Sequence, residues 1–249
     1  IINLAKAAEK FGRGENIDEF RPSGALEIRQ AGNEFDKMRK RIMRHLNQRS
    51  EMLSGISHDL RTPLTRMKLQ LAFIKDKEIS SKMSLDIDDM EQMLNEYLQF
   101  TSSSYSESDV TFDISELISD IVQKYKNNNI SSNLQTGVVI NGRKNLIERS
   151  INNLIDNSIK FADKINIKLS NKNNSLLITI DDNGPGIPKE EYENVFKPFY
   201  KIDKSRNASK SSVGLGLSIA SDIIKSHGGN ILLEKSPLNG LRVKVFLPV

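Results

Sequence analysis

Several stretches of this chain set reactive side chains at spacings that could do chemistry. One is Ser57-His58-Asp59-Leu60-Arg61-Thr62-Pro63-Leu64-Thr65. Neutral imidazole is a nucleophile near neutral pH, its ordinary pKa being ~6.5. Asp59 can hydrogen-bond one ring nitrogen, fix the tautomer and leave the other nitrogen free to attack. At ~100° per residue, Leu53, Ile56, Leu60, Leu64, Met67, Leu71 and Ile74 line one helical face, and His58 points roughly 170° from its centre. Thr62 follows on the same outer face one turn later. Pro63 cannot donate to the Asp59 carbonyl, so a kink that loosens the helix at His58 is expected. The plainer alternative is a surface histidine beside a proline that bends the helix.

Three further stretches suit a nucleotide. Asn153, Asn157 and Lys160 share a helical face at i, i+4 and i+7. Asparagine carbonyls suit a Mg²⁺ that phosphates also hold, and Lys160 adds positive charge. Asp182-Asn183-Gly184-Pro185-Gly186 follows an apolar alternating run, so it can bring a carboxylate and bare backbone to a planar base. A charge-assisted bond there is worth ~1.5–3 kcal/mol and selects an amino group over a carbonyl. Gly214-Leu215-Gly216-Leu217 opens a helix whose backbone N–H groups can reach phosphate. Taken singly, these stretches also read as a polar helix face, a turn and a helix start.

The elements that must carry these groups follow from periodicity. Residues 1–12 read as a helix, 13–25 as a connector, and a long helix starts near Ala25. Residues 75–80 break its pattern, and a further helix carries Met83, Ile87, Met90, Leu94 and Tyr97. Two long helices with a short polar link predict an antiparallel hairpin, and two hairpins a four-helix bundle formed by homodimerisation. Residues 101–109, TSSSYSESD, read as a linker. Beyond it, strands are expected at 112–114, 138–141, 165–169, 176–181, 230–234 and 241–247, and helices at 115–126, 144–162 and 216–226. This mixture predicts an α/β two-layer sandwich.

The phosphoacceptor-like box SHDLRTPLT resembles that of sensor histidine kinases, closest to the osmosensor (EnvZ) type, and the likeness covers nearly the whole chain. It implies a fold of helical relay module, phosphoacceptor hairpin and α/β sandwich of the GHKL (Bergerat) ATPase type. It implies that His58 is phosphorylated on a ring nitrogen, with Asp59 as general base, and that Thr62 positions a water that dephosphorylates the partner. The stretch from Asn153 to Phe161 resembles the family's N box, with Asn157 the main Mg²⁺ ligand and Asn153 its helper. Asp182, with Gly184 and Gly186, resembles the adenine-reading motif. Phe196-Lys197-Pro198-Phe199 matches the F box, so Phe196 and Phe199 would support a mobile lid formed by residues 200–213. Gly214, Leu215, Gly216 and Leu217 would bind phosphate, and Lys201, Lys204, Arg206 and Lys210 would screen its charge. The lid departs from the family: Ser211-Ser212-Val213 precede the second glycine motif, and Lys201 stands where arginine is frequent.

The resemblance divides the chain into a HAMP-like relay module at 1–49, a phosphoacceptor hairpin at 50–103 and an ATP-binding domain at 110–249. Implied partners are a second copy, Mg²⁺ with ATP, and an OmpR-like response regulator, with no nucleic acid. The chain begins Ile1-Ile2 rather than with methionine, so it reads as a fragment, the cytoplasmic portion of an inner-membrane protein whose anchor lies upstream. Composition adds exclusions. The 249 residues contain no cysteine, which removes disulfides, thiolate zinc sites and thiol catalysis. A net charge of +4 is too small to argue for nucleic acid. The basic run Lys37–Arg44 reads as a solvated helix face, His45 as a packing or surface residue, and His227-Gly228-Gly229 as a helix end without catalysis. Two rivals stand: an ATPase of the chaperone or topoisomerase kind, and a relay whose lid has lost turnover.

Overall fold

The computed structural model describes residues 2–12, 20–74, 76–102, 107–126, 128–172, 175–202 and 213–248. They form two compact units, one made chiefly of Asn16–Tyr105 with Ile1–Gly12, the other of Ser106–Lys210 with Gly214–Val249.

In the first unit, α1 (Ile2–Gly12) precedes α2 (Leu26–Leu71), a 46-residue helix about 69 Å long. Phe35 on α2 is met edge-on by Phe11 at 6.1 Å and by Phe20 at 5.6 Å. Helix α2 runs on through Pro63 without a break in assignment. α3 (Lys77–Ser102) returns beside it. Asp76 starts α3 by accepting from the Glu78 and Ile79 N–H groups. The α2–α3 seam is thin: Leu64, Leu71 and Ile87 are its buried apolar cluster. Polar ties supplement it. Arg61 donates to Asn95 Oδ1 at 3.0 Å, and Lys68 Nζ lies 2.7 Å from both Asp88 and Glu91.

The expected apolar stripe is split. Ile56, Leu60, Met67 and Ile74 remain 38–47% exposed, and Met83 and Met90 on α3 are 45% and 49% exposed. One antiparallel neighbour can cover only the 57–64–71 line of α2. The rest of the stripe is apolar surface left over by a single hairpin.

The second unit runs β1 (Val110–Asp113), α4 (Ile114–Lys124), β2 (Ile130–Leu134), β3 (Val139–Gly142), α5 (Lys144–Phe161), β4 (Ile165–Lys172), β5 (Ser175–Asp182), α6 (Gly216–Ser226), β6 (Asn230–Lys235) and β7 (Leu241–Pro248). β1 and β3 pair antiparallel; the main sheet has the order β2-β4-β5-β7-β6, parallel only between β2 and β4. Register aligns Ile167 with Ile180 and Ile180 with Val243, so one face is continuously aliphatic. The buried faces of α4, α5 and α6 join that face in one core. The opposite face carries Lys168, Thr179, Arg242 and Lys244. A two-layer sandwich results, as the alternation of elements predicts. Strand β2 was not foreseen, because Ser131, Ser132 and Asn133 interrupt its apolar pattern; it survives as a sheet edge.

Candidate functional site

Helix α2 presents His58 and Asp59 outward, their side chains 81% and 86% exposed. His58 Nδ1 lies 3.5 Å from Asp59 Oδ1, the outer limit of hydrogen bonding. Asp59 is therefore within reach of Nδ1 but does not clamp the ring, and Nε2 is the nitrogen it leaves clear. The Thr62 hydroxyl donates to the His58 carbonyl at 3.4 Å. Ser57, just before the histidine, is 2% exposed and in line with Leu64 and Leu71. Within this box Ser57 and Leu64, seven positions apart, are buried and residues 58–63 between them are exposed, as a helix at a narrow seam requires.

The nucleotide-type motifs converge in the second unit. β5 ends at Asp182, which is 4% exposed. Its Oδ1 accepts from the Gly184 N–H at 2.9 Å and from the Leu241 N–H at 2.9 Å. Its Oδ2 has one partner among the described residues, the Ser158 hydroxyl on α5 at 3.5 Å. Gly240 makes this possible: a Cβ there would stand 2.3 Å from Asp182 Oδ1 and 2.5 Å from the Gly184 nitrogen. Gly186 packs beside the same turn, its would-be Cβ 3.5 Å from the Gly240 carbonyl. The carboxylate is thus held on one oxygen by two backbone donors, with the second oxygen nearly free.

The other end of the site lies one and a half turns back along α5, about 7.5 Å of rise. Asn153, Asn157 and Lys160 are all half-buried there on one face, as their spacing predicts. Asn153 Nδ2 is buried without a hydrogen-bond partner among the described residues. Lys160 Nζ sits 5.9 Å from the Phe161 ring centre. Helix α6 starts at Gly216 with no side-chain cap, and the atom nearest a Gly216 Cβ would be the Asn153 carbonyl at 3.9 Å. The glycine motif and the asparagine helix therefore meet, and α6 offers uncapped N–H groups beside them. Within that motif Leu215 is fully buried and Leu217 packs on the core, so those two act as anchors.

The lid residues divide. Phe196 packs against the core, whereas Phe199 is 55% exposed with φ 64°. The Phe199 N–H donates to the Gly214 carbonyl at 3.0 Å, which ties the two ends of the lid segment together. Gly214 has φ 81°, and a Cβ there would lie 2.8 Å from the Tyr200 carbonyl, so only glycine suits the closure. The Tyr200 hydroxyl donates to Glu191 at 2.6 Å, which lowers the Glu191 carboxyl and raises the phenol. Lys201 is exposed. Lys204, Arg206 and Lys210 lie outside the described residues.

Some contacts have no forerunner in the motif reading. Neither Ser158 nor Gly240 entered the motif reading, yet both meet the Asp182 carboxylate. Glu107, placed in the linker by composition, caps α5 by accepting from the Asn145 and Leu146 N–H groups at 2.8 and 3.2 Å. The division between the two units falls inside the expected linker 101–109, between Tyr105 and Ser106, although α3 reaches Ser102 and Glu107 is bonded within the second unit. His227 ends α6 as expected, but as a neutral acceptor rather than a cation on the helix dipole. Its Nδ1–H donates to the Ile223 carbonyl at 2.7 Å, and Nε2 accepts from the Arg143 N–H at 3.1 Å. Burial first, and Arg143 beside it, push its pKa down.

An outward helical histidine on one unit and a carboxylate bonded to backbone N–H groups on the other fall within the domains of the phosphohistidine signalling class that known sequences match. Residues 48–105 match the His Kinase A (phospho-acceptor) domain, and residues 142–249 match the histidine kinase-, DNA gyrase B- and HSP90-like ATPase. The chain belongs to the sensor histidine kinases. It is 30% identical over 250 residues to the sensor histidine kinase GtrS of Pseudomonas aeruginosa, covering 100% of this chain and 52% of that protein. It is 30% identical over 262 residues to the sensor histidine kinase CpxA of Escherichia coli, covering 99% of this chain and 57% of that protein. The full-length ShkA structure, a complex with AMPPNP, shares the fold at a TM-score of 0.62 and 20% identity, covering 80% of this chain and 45% of that one. The chain spans about half the length of the curated relatives it matches. No described helix is long and apolar enough to cross a membrane.

Proposed function

We propose that this chain is a protein-histidine kinase that binds Mg·ATP in its α/β unit and phosphorylates His58. The observation that carries this is the exposed imidazole with a carboxylate at Nδ1 and, among the described residues, no hydrogen-bond partner at Nε2. His58 Nε2 attacks the γ-phosphorus, the bond to the bridging oxygen breaks, ADP departs, and the Nδ1 proton passes to Asp59. Positioning and charge neutralisation supply most of the rate, as in other phosphoryl transfers.

The residues present fit the nucleotide. Asp182 Oδ2 faces an open acceptor role, Asn153 has a buried amide in need of a partner, and the α6 N-terminus lies alongside. Asn157, helped by Asn153, would hold Mg²⁺. Bound Mg²⁺ would neutralise phosphate charge. Gly184, Gly186, Gly214, Gly216 and Lys160 would line the site, with Phe196 and Phe199 at the base of the lid, and Lys201 and Arg206 at its charge.

The phosphoryl group then passes to an aspartate of an OmpR-like receiver domain, and Thr62 positions a water that later hydrolyses that phosphoaspartate to inorganic phosphate. The chain works as a homodimer, and the exposed apolar residues of α2 and α3 supply the second face. Residues 1–49 act as a relay module, 50–103 as the phosphoacceptor hairpin and 110–249 as the ATP-binding domain, on the cytoplasmic side of a membrane that an upstream segment spans. The test is incubation of the chain with Mg²⁺ and γ-³²P-ATP. An acid-labile, base-stable label that disappears in His58→Gln is expected. Persistent label in that variant overturns the assignment, and ATP turnover with no phosphoprotein favours a plain ATPase.

A further inference from the structure

The Asp182 carboxylate is asymmetric in its surroundings. Oδ1 is occupied by two backbone donors, from Gly184 and Leu241, each at 2.9 Å. Those bonds fix the carboxylate plane and leave Oδ2 to read a ligand. Among the described residues Oδ2 accepts one hydrogen bond, from the Ser158 hydroxyl at 3.5 Å. That spacing is the weak limit of a hydrogen bond, so the Ser158 proton is lightly committed. Both residues are buried, Ser158 at 1% and Asp182 at 4% exposure. A hydroxyl in such a place costs stability unless it finds a stronger partner.

The pair has directional chemistry. Oδ2 can only accept, whereas the Ser158 hydroxyl can donate. Side by side they form an acceptor–donor edge. Adenine presents the complement, a 6-amino donor next to the N1 acceptor. Guanine presents the reverse, a 6-oxo acceptor next to N1–H. We infer that Ser158 is the second half of the base-reading edge: its hydroxyl donates to purine N1 while Asp182 Oδ2 accepts from the 6-amino group. The inference rests on the nucleotide-binding reading above and adds a specificity residue to it. Helix α5 then serves both ends of the nucleotide, Ser158 at the base and Asn153 and Asn157 toward the phosphates.

Equilibrium binding to the whole 249-residue chain, by calorimetry at fixed Mg²⁺ and salt, tests this with three probes. They are ATP, 1-deaza-ATP, which lacks the N1 acceptor, and purine ribonucleoside triphosphate, which lacks the 6-amino group. The wild-type chain is expected to bind 1-deaza-ATP about 3–10-fold more weakly than ATP, one neutral hydrogen bond's worth. Ser158→Ala is expected to bind ATP weaker by that factor and to lose the gap between ATP and 1-deaza-ATP. It keeps the penalty for removing the 6-amino group, which a general loosening of the pocket would blunt. Ser158→Cys, close in size and a poor donor, should behave as Ser158→Ala and replaces it if the alanine variant does not fold. A wild-type chain that binds ATP tightly and 1-deaza-ATP equally well overturns the inference alone, as does a gap that persists in Ser158→Ala. A wild-type chain that binds none of the three overturns the nucleotide reading and this inference with it.

Discussion

His58 and Asp182 are the two polar groups on which the proposed phosphoryl transfer rests, yet their settings differ in kind. The His58 side chain is 81% exposed on a hairpin whose buried apolar cluster is Leu64, Leu71 and Ile87. Asp182 is 4% exposed, bonded by two backbone donors and one hydroxyl, and rooted in a large aliphatic core. The difference follows from what each must do. A nucleophile that serves first a triphosphate and then a receiver aspartate has to stay accessible to both. A carboxylate that tells an amino group from a carbonyl has to keep one orientation, and burial with saturated bonds on one oxygen enforces it.

The comparison breaks most readily at the two groups themselves. Asp182→Asn is expected to weaken ATP binding about 10–150-fold, the equivalent of a charge-assisted bond, while His58→Gln leaves binding unchanged. Calorimetry on both variants decides it, and equal losses would erase the contrast. Next comes packing. Ile155 is fully buried in the α/β core, so Ile155→Ala is expected to cost about 2–5 kcal/mol in urea unfolding. Leu64→Ala, at 6% exposure in its small cluster, should fall at or below the low end of that range at equal protein concentration. A larger loss at Leu64 would show that the hairpin is the better packed unit.

The smallest effect is a pH dependence confined to the α/β unit. His227 is held neutral by burial, with Arg143 acting in the same direction, while the bond to the Ile223 carbonyl and the charges of Asp109 and Glu107 pull the other way. Its folded pKa lies below the unfolded value, so below ~6.5 the unfolded chain binds the extra proton. Stability contributed by the neutral ring is therefore present above that pH and lost as pH falls through the lowered folded value. Thermal unfolding of this unit should weaken from pH 7 toward pH 5. In His227→Gln the slope should flatten, and an unchanged slope would remove His227 from the account.

Much of this was legible from residue order because the relevant contacts are local or repeat periodically. His58 outward, Asn153, Asn157 and Lys160 on one face, and Asp182 at a strand end all follow from helix and strand periods. Strand β2 was not legible, since Ser131, Ser132 and Asn133 mask an edge strand that pairs in parallel with distant β4. Glu107 was also hidden: it caps a helix 38 residues away, and nothing in a serine-rich tract marks one carboxylate as bound. Arg206 belongs to a motif reading that the described residues do not reach.

By itself the order of amino acids determined which side chains exist for chemistry, which helical face each occupies, and where elements start and stop. Those depend on neighbours within a turn or two. Only the tertiary structure decided that Gly240 leaves room for Asp182, that Leu241 and Gly184 saturate one of its oxygens, and that Ser158 lies beside the other. These contacts join β7, β5 and α5 across 59 and 24 residues of chain. Burial and hydrogen-bond saturation belong to the packed arrangement of several elements, and no single stretch carries them.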